Sequence, residues 1–318
     1  MKNILITGSQ GYIGKQFLAS CFENRKDLGK IIALDIKKPE ADKRLEGVDY
    51  IELDIRSKQI EEILKEHQIN IVVHLAAIIS ITGTNSALFE YDVDVNGSKN
   101  LINACVRQGV EKFIITSSGA AYGYWPSNVE TVLSEDMPML GNTDIPYSNH
   151  KYLVEEYLKK IAKTHPKMEQ FVFRVGTILG ETTNNPITDY LKKDKLLCIQ
   201  GYPSAFVAIW DQDLVQILWK ACLNGKPGIY NVAGDGAIPS IELASLLGKA
   251  ARVLPLFLLK TAFAILRPLS LIKYGPESLK FIQYRPVLSN QKLKESYAYI
   301  PQKNTKEVFE FWRDHQLS

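Results

Sequence analysis

The chain has 318 residues, 46% apolar and 23% charged, proportions that are typical of a globular protein and exclude a disordered chain. Lysine and arginine number 38 against 35 acidic residues, so the net charge of +3 excludes a strongly basic surface for nucleic acid. The cysteines lie far apart and match neither a disulfide framework nor a zinc site: Cys21, Cys105, Cys198 and Cys222. We therefore expect a reduced, cytoplasmic protein that binds no nucleic acid and no metal.

Short apolar runs alternate with longer amphipathic stretches in the first half of the chain. The short runs predict strands at 3–7, 30–35, 48–54, 71–76, 112–118, 170–175 and 228–232. The amphipathic stretches predict helices at 12–23, 57–67, 97–108, 147–164 and 214–223. Continuous Ile, Val and Leu runs separated by helices are typical of parallel strands covered on both faces. The predicted fold class is therefore α/β, a Rossmann-type doubly wound parallel sheet with right-handed crossovers.

This regular alternation weakens after residue 176, where proline-rich and irregular pieces begin. We expect residues 1–180 to form the Rossmann domain, with 207–233 returning to it. Residues 181–206 and 234–318 then form a smaller C-terminal lobe that binds the substrate.

Residues 253–272 are mostly apolar and resemble a membrane span at first sight. Pro255 and Pro268 bracket only about 12 residues, which is too short to cross the hydrocarbon core. Lys260 and Arg267 fall on one helical face, so we expect an amphipathic lobe helix. The alternatives are an apolar lid over a hydrophobic substrate and an interfacial anchor at 255–267.

A glycine-rich loop, TGSQGYIG at 7–14, follows the first strand and opens the first helix. Gly8 permits the tight turn, Gly11 lets the backbone approach a pyrophosphate, and Gly14 lets the helix pack close to the sheet. The helix N-terminus then offers free N–H groups to the phosphates. This context predicts dinucleotide contacts from Gly8, Gln10, Gly11, Tyr12, Ile13 and Gly14.

Asp35 ends the second predicted strand, where its carboxylate can accept hydrogen bonds from both hydroxyls of the adenosine ribose. The same carboxylate would repel a 2′-phosphate, so NAD is favoured over NADP. Lys37 and Lys38 could instead pair with such a phosphate. Ile36, next to Asp35, is included in the predicted cofactor site.

Tyr147 and Lys151 are four residues apart at the start of a predicted long helix, which places them on one face. A neighbouring ammonium stabilises a phenolate, and the phenol can then exchange a proton with a substrate oxygen while hydride moves to or from the nicotinamide. Ser118 ends the fifth predicted strand and can donate to the same oxygen. Ser117 is the alternative donor.

These segments together resemble the extended short-chain dehydrogenase/reductase family, also called the NAD-dependent epimerase/dehydratase family: TGSQGYIG, LD at 34–35, LDI at 53–55, HLAA at 74–77, SSGAAYG, YSNHK and FRVGTILG at 173–180. The resemblance covers essentially the whole chain. It implies the catalytic residues Ser118, Tyr147 and Lys151, with Lys151 also holding the nicotinamide ribose. It further implies cofactor contacts from Asp54, Ile55, Leu75, Ala76, Ala77 and Gly176, and a homodimer that packs helices 97–108 and 147–164.

Departures from the family pattern narrow the reaction. Sugar-nucleotide dehydratases carry an acidic pair at the positions of Gly119 and Ala120 in this chain. Nucleotide-sugar decarboxylases carry a glutamate at the position of Ala120. Both eliminations need that acid, so they are rejected. The 4-epimerases carry an asparagine where Thr177 stands and use arginine on the diphosphate, whereas this chain has no arginine between Arg174 and Arg252.

We therefore expect an NAD-dependent enzyme that interconverts a secondary alcohol and a ketone on a fairly apolar small molecule, and little epimerisation of UDP-hexoses. A nucleotide-sugar 4-epimerase is the alternative, which Arg252, Arg267 or Arg285 folding into the cleft would favour. A non-catalytic NAD sensor or scaffold is a further alternative, disfavoured because such relatives lose the tyrosine or the lysine that this chain keeps.

Overall fold

A computed structural model describes residues 1–78, 87–269, 271–272 and 275–317 of the chain. The strands are β1 (Lys2–Thr7), β2 (Leu28–Asp35), β3 (Val48–Glu52), β4 (Ile71–His74), β5 (Lys112–Ser118), β6 (Val132–Leu133), β7 (Glu169–Val175), β8 (Thr177–Leu179), β9 (Lys195–Ile199), β10 (Ala205–Phe206), β11 (Ala208–Trp210), β12 (Gly228–Val232), β13 (Ile238–Pro239), β14 (Ala250–Leu254) and β15 (Val287–Leu288). The α-helices are α1 (Tyr12–Glu23), α2 (Ile60–Glu66), α3 (Ala87–Tyr91), α4 (Ser98–Gln108), α5 (Pro146–Thr164), α6 (Pro186–Leu191), α7 (Asp211–Leu223), α8 (Ser240–Leu246), α9 (Leu256–Leu266), α10 (Lys280–Gln283), α11 (Gln291–Glu295) and α12 (Thr305–Gln316).

Seven strands form one parallel sheet in the order β12-β7-β5-β4-β1-β2-β3. The chain winds outward in both directions from the neighbouring strands β1 and β4, which pair in parallel. At such a reversal the carboxyl ends of the strands leave a crevice in which ligands bind. The predicted doubly wound α/β fold is confirmed.

Apolar residues cover both faces of this sheet, as its continuous Ile, Val and Leu runs predict. One layer packs α1 and α7 on the sheet and includes Phe17 and Leu214, both fully buried. The opposite layer packs α2, α4 and α5 and includes Leu101 and Leu158. Fully burying side chains of this size contributes about 1.5–3 kcal/mol each.

Most predicted elements agree with the structure to within two residues, but α2 begins three residues later than the pattern indicates. Asp54 accepts a hydrogen bond from the backbone N–H of Arg56 at 2.8 Å, and this local turn delays the helix start to Ile60. The predicted helix at 97–108 is preceded by a π-helical turn at Asp92–Gly97.

Short elements fill the irregular part of the chain, where the sequence predicts only the helix between Pro255 and Pro268, observed as α9. Four two-stranded pairings occur among the described residues: β9 with β14, β8 with β11, β10 with β13 and β6 with β15. A separate apolar cluster lies beneath them and includes Leu191, Phe206 and Trp312. The boundaries proposed for the lobe stay a prediction, and Ser270, Lys273, Tyr274 and Ser318 of that lobe lie outside the described residues.

A buried ion pair joins α5 to the sheet. Arg174 on β7 and Glu155 on α5 are 1% and 2% exposed, and their Nη2 and Oε2 atoms are 2.8 Å apart. Arg174 Nη1 also donates to the hydroxyl of Tyr122 at 2.7 Å, and that hydroxyl lies 2.9 Å from Asn231 Oδ1 on β12. Charges this deeply buried depend on their partners, because neither has access to water.

Glu155→Ala is predicted to destabilise the protein by about 3–5 kcal/mol, because it leaves Arg174 buried without its counter-charge. Urea unfolding measures this change. The matched control is Glu156→Ala on the same helix, whose exposed pair with Lys159 is expected to contribute at most about 1 kcal/mol. Equal losses in the two variants would show that the buried pair has no special role.

Candidate active site

The turn between β1 and α1 leaves no room for a side chain at two glycines. Gly8 has a φ of +70°, and a Cβ there would lie 2.5 Å from the backbone nitrogen of Ala76. A Cβ on Gly14 would overlap the carbonyl oxygen of Gly8. The strand, the turn and the helix therefore approach more closely than another residue type permits.

The first turn of α1 points free backbone N–H groups into the crevice. Gly11 is the N-cap residue and has no side chain to cap the helix. The N–H groups of Tyr12, Ile13 and Gly14 have no side-chain acceptor within the described ranges. Uncapped N–H groups at a helix N-terminus bind phosphate, so this turn fits the pyrophosphate of NAD.

Asp35 is held beside this turn, at the end of β2. The backbone N–H of Gln10 donates to its Oδ2 atom at 2.9 Å. This bond orients the carboxylate and leaves Oδ1 to accept from a ribose hydroxyl. Ile36 is 63% exposed next to it, an apolar surface available to the adenosine, while Lys37 and Lys38 are exposed further along the loop.

Asp54 and Ile55, both predicted to contact the cofactor, already contact other side chains of the protein. The Nη2 atom of Arg56 lies 2.7 Å from Asp54 Oδ2, and this guanidinium holds the pKa of the Asp54 carboxyl below its usual range. Arg56 also pairs with Asp92 at 2.8 Å. Ile55 is buried, and a Cβ on Gly97 would strike it. Arg56 was not among the predicted site residues, since a single arginine in a turn has no distinguishing pattern.

The segment after β4 forms the adjacent wall of the crevice. The backbone N–H of Leu75 donates to the carbonyl of Thr7 at 3.0 Å, so the chain leaves β4 alongside β1. Ala76 contacts the turn at Gly8, and Ala77 is exposed. These positions are compatible with the predicted role of Leu75, Ala76 and Ala77 in lining the dinucleotide.

Tyr12 differs from expectation in the direction of its side chain. Its hydroxyl donates to Asp211 Oδ2 at 2.5 Å and accepts from Thr183 Oγ1 at 2.9 Å. Burial, followed by the bond to Asp211, raises the pKa of Tyr12 to about 12. The side chain therefore ties α1 to α7, and only the backbone of Tyr12 faces the phosphate site.

The three predicted catalytic residues come together where β5 ends and α5 begins. Ser118 and Tyr147 line the same cleft. The Nζ atom of Lys151 lies 5.7 Å from the centre of the Tyr147 ring and donates to the carbonyl of Thr116 at 3.1 Å. The Lys151 ammonium is thus fixed beside the Tyr147 ring at the edge of the cleft.

The rival serine has a structural position. Neighbouring side chains on a strand point to opposite faces, so Ser117 and Ser118 cannot both reach the cleft. Ser117 is buried, and its hydroxyl donates to Glu155 Oε1 at 2.5 Å. Ser118 therefore remains the predicted oxygen donor.

Two histidines near Lys151 are buried, and each is hydrogen-bonded to other side chains. His74 Nδ1 lies 2.7 Å from Thr7 Oγ1, and its Nε2 lies 2.9 Å from Ser98 Oγ. Burial, and secondly the charge of Lys151, lowers the pKa of His74 to about 3, so this ring is neutral at physiological pH. His150 pairs with Asp94 at 3.1 Å. These contacts agree with the expectation that His74 is packed rather than catalytic.

The cleft in front of Ser118 and Tyr147 has a volume of about 850 Å³, part of which is open to solvent. Gly176 lies in its floor, and its backbone N–H donates to Val232 at 2.9 Å. Apolar side chains form much of the remaining wall: Val175, Ile178, Ile187, Val207 and Leu288. Polar groups enter this wall from Thr177, Asn185 and Arg285.

Arg285 is the main site residue that the sequence did not place. Its guanidinium carbon lies 3.9 Å from the centre of the Phe206 ring and 4.3 Å from that of Phe281. Its Nη2 atom is 3.5 Å from Thr177 Oγ1, and Nη1 is buried with no acceptor in the described part of the chain. Burial lowers the pKa of Arg285 to about 10, so the group remains a cation at neutral pH.

The apolar lid that the sequence leaves open as an alternative does not line this cleft. The cleft wall contains none of the residues of β14 or α9. Helix α9 instead packs behind the wall, where Leu259 and Leu279 belong to one apolar cluster.

Within the described residues, no helix is long and apolar enough to cross a bilayer.

The fold, the glycine turn and the Tyr147–Lys151 pair agree with the comparison of the sequence with known families. Residues 4–233 match the NAD dependent epimerase/dehydratase family. The chain belongs to this family of enzymes, whose cofactor is NAD.

Particular relatives are distant. An uncharacterized protein of Mycobacterium tuberculosis (strain H37Rv) is 21% identical over 97% of this chain and 82% of its own. UDP-glucose 4-epimerase of Neisseria meningitidis is 31% identical over 187 residues, which cover 57% of this chain and 54% of that enzyme.

Solved structures share the whole fold. UDP-glucose 4-epimerase of Thermus thermophilus in complex with NAD has a TM-score of 0.75 at 21% identity and covers 98% of each chain. The dTDP-glucose 4,6-dehydratase of Bacillus anthracis in complex with NAD has a TM-score of 0.74 at 18% identity, covering 99% of this chain and 96% of its own.

The orientation of Asp35 predicts that NAD binds at least tenfold more tightly than NADP, about 1.4 kcal/mol. Asp35→Ala is expected to narrow this difference, because it removes both the ribose acceptor and the charge that repels a 2′-phosphate. Calorimetric titration of both cofactors measures it. Equal or tighter binding of NADP to the unaltered protein would mean that Lys37 and Lys38 dominate the site.

Proposed function

We propose that this protein oxidises a ring hydroxyl of a nucleotide sugar to a ketone and then reduces it again, as a UDP-hexose 4-epimerase does. The observation that carries the proposal is Arg285, a half-buried cation that lines the cleft holding Tyr147 and whose Nη1 atom has no acceptor among the described residues. The relationship to UDP-glucose 4-epimerases supports the same choice. A nucleotide-sugar substrate differs from the apolar substrate that the sequence alone suggests.

Tyr147 is the acid/base in this mechanism. Its phenolate takes the proton of the substrate hydroxyl, while Ser118 donates a hydrogen bond that positions the same oxygen. Lys151 stabilises the phenolate through its fixed charge. NAD held at the β1–α1 turn would supply the hydride acceptor for the oxidation and the hydride donor for the reduction. Reduction runs in reverse, and Tyr147 gives the proton back to the alkoxide oxygen.

Arg285 anchors the part of the substrate that does not react. A guanidinium can donate two parallel hydrogen bonds to a phosphate, and such charge-assisted bonds are the strong ones. The rings of Phe206 and Phe281 hold the group in place by cation–π contact and exclude water from it. Thr177 and Asn185 add polar contacts on the same wall. A ketone intermediate could therefore rotate while its diphosphate stays bound.

The composition of the cleft also argues against elimination of water. Gly119 and Ala120 lie in its wall next to Ser118, and no aspartate or glutamate of residues 1–78, 87–269, 271–272 or 275–317 lines it. A dehydratase needs an acid at this place to protonate the leaving hydroxyl. Oxidation and reduction without elimination require only Tyr147 and the cofactor.

A second candidate is net oxidation or reduction of a less polar alcohol. It is favoured by the apolar wall of Val175, Ile178, Ile187, Val207 and Leu288. Net oxidation of an alcohol would release reduced cofactor and net reduction of a ketone would release oxidised cofactor, whereas epimerisation leaves the cofactor unchanged after each turnover. The third alternative, a non-catalytic NAD sensor or scaffold, is disfavoured because the chain keeps both Tyr147 and Lys151, with the Lys151 Nζ atom 5.7 Å from the centre of the Tyr147 ring.

Tyr147→Phe is predicted to lower kcat by about 10²- to 10⁴-fold and to leave NAD affinity nearly unchanged, because it removes only the acid/base group. The matched control is Tyr124→Phe in the same cleft. Burial raises the pKa of Tyr124 well above its usual value, so this phenol stays protonated and the control is expected to keep its turnover. A Tyr147→Phe enzyme with a near-normal rate would refute the assigned acid/base.

The substrate proposal predicts conversion of UDP-galactose to UDP-glucose over many turnovers, without stoichiometric consumption of added NAD. Arg285→Gln is expected to raise KM by roughly ten- to a hundredfold, because one charge-assisted contact contributes about 1.5–3 kcal/mol. Chromatography of the nucleotide sugars follows the reaction. Failure of the unaltered protein to convert UDP-hexoses would defeat the epimerase proposal, and an unchanged KM would defeat the role of Arg285.

A further inference from the structure

Helix α9 exposes an apolar face that a solvated surface helix would not carry. Its inner side packs on the lobe through the buried Leu259 and the half-buried Phe263. On its outer side Phe257, Leu258 and Ile265 are 67%, 48% and 57% exposed. An ordinary surface helix has polar residues on that side, whereas a helix that is apolar all round is normally covered on both sides.

The apolar surface continues beyond the helix. Val253, on β14 before the helix, is 44% exposed. Leu269 and Leu271, after the helix, are 61% and 68% exposed. The hydroxyl of Thr261 is satisfied within the helix, because its Oγ1 atom donates to the carbonyl of Phe257 at 2.9 Å. We define the outer face as Val253, Phe257, Leu258, Ile265, Leu269 and Leu271.

The segment of the chain that carries the outer face is positively charged. Residues 249–275 include five cations and no aspartate or glutamate: Lys249, Arg252, Lys260, Arg267 and Lys273. Arg267 is paired with Glu277 at 2.7 Å. Arg252 and Lys260 are exposed and form no ion pair with any residue that the structure describes. Exposed Phe, Leu and Ile with lysine and arginine at the margin are typical of helices that lie in the membrane interface.

We propose that the outer face docks on the surface of a bilayer that contains anionic phospholipid. The apolar side chains would enter the headgroup–acyl boundary, and Arg252 and Lys260 would contact the phosphates. A second copy of the chain fits this face less well. A two-fold contact places the same patch on both subunits, so the segment 249–275, which has five cations and no acidic residue, would face a second copy of itself.

One layer of packed side chains separates the outer face from the candidate active site. Leu259 on the inner side of α9 contacts Leu279, and Ile282 belongs to the same cluster. Phe281, the neighbour of Ile282, lines the cleft together with Arg285. Docking through the outer face therefore leaves the cleft wall itself uncovered, and the proposal is independent of which substrate the enzyme uses.

Flotation of the full chain with vesicles tests this proposal. We expect binding to vesicles of phosphatidylcholine mixed with phosphatidylglycerol, weaker binding to phosphatidylcholine alone, and a decrease with added salt. Phe257→Ser combined with Ile265→Ser is expected to reduce vesicle affinity at least tenfold. Lys260→Glu is expected to reduce it at least fivefold while leaving the apolar contacts intact.

The matched control is Ile300→Ser, which removes an apolar side chain that is 73% exposed outside the face. This variant should bind vesicles as the unaltered protein does, and all variants should keep NAD affinity, since none touches the cofactor turn. Absence of vesicle binding, or binding that the outer-face variants do not change, would overturn the proposal. Light scattering that shows a dimer lost in the Phe257/Ile265 variant, without vesicle binding, would assign the face to a second copy instead.

Discussion

The buried pair of Glu155 and Arg174 is the interaction on which the active-site geometry depends. It joins the helix that carries Tyr147 and Lys151 to β7, and through Ser117 it reaches β5, which ends at Ser118. Because both charges are excluded from water, neither can leave the pair without a large penalty. The phenol, its ammonium and the serine are thus held by one network that lies beneath the cleft and takes no part in the chemistry.

The cleft above this network combines two kinds of surface. Apolar side chains exclude water from the reacting centre, and one cation, Arg285, is held in the wall by two aromatic rings. A buried guanidinium with an unused donor is unfavourable unless an anion completes it. This imbalance is the physical reason for assigning a phosphorylated substrate, and it agrees with the kinship to enzymes of nucleotide sugars.

Features set by local pattern could be predicted from the sequence, whereas those set by tertiary contact could not. The parallel sheet follows from continuous apolar runs, and Tyr147 with Lys151 follows from spacing on one helix. Arg285 lies 108 positions from Thr177, its neighbour in the cleft, so no local pattern links them. The choice between Ser117 and Ser118 needs the strand's orientation. The two-residue strands of the lobe are too short to show any periodicity. Lys260 and Arg267 predict an amphipathic helix, but no pattern indicates that Phe257, Leu258 and Ile265 of α9 are exposed as well.

The central claim is that Arg285 anchors a nucleotide diphosphate while Tyr147 faces the sugar. A crystal structure of the protein with NAD and UDP-glucose tests it most directly. The account predicts a diphosphate oxygen within hydrogen-bond distance of the Arg285 guanidinium, and a sugar hydroxyl within reach of both Tyr147 and Ser118. A diphosphate bound away from Arg285, or a sugar that lies outside the cleft, would contradict it.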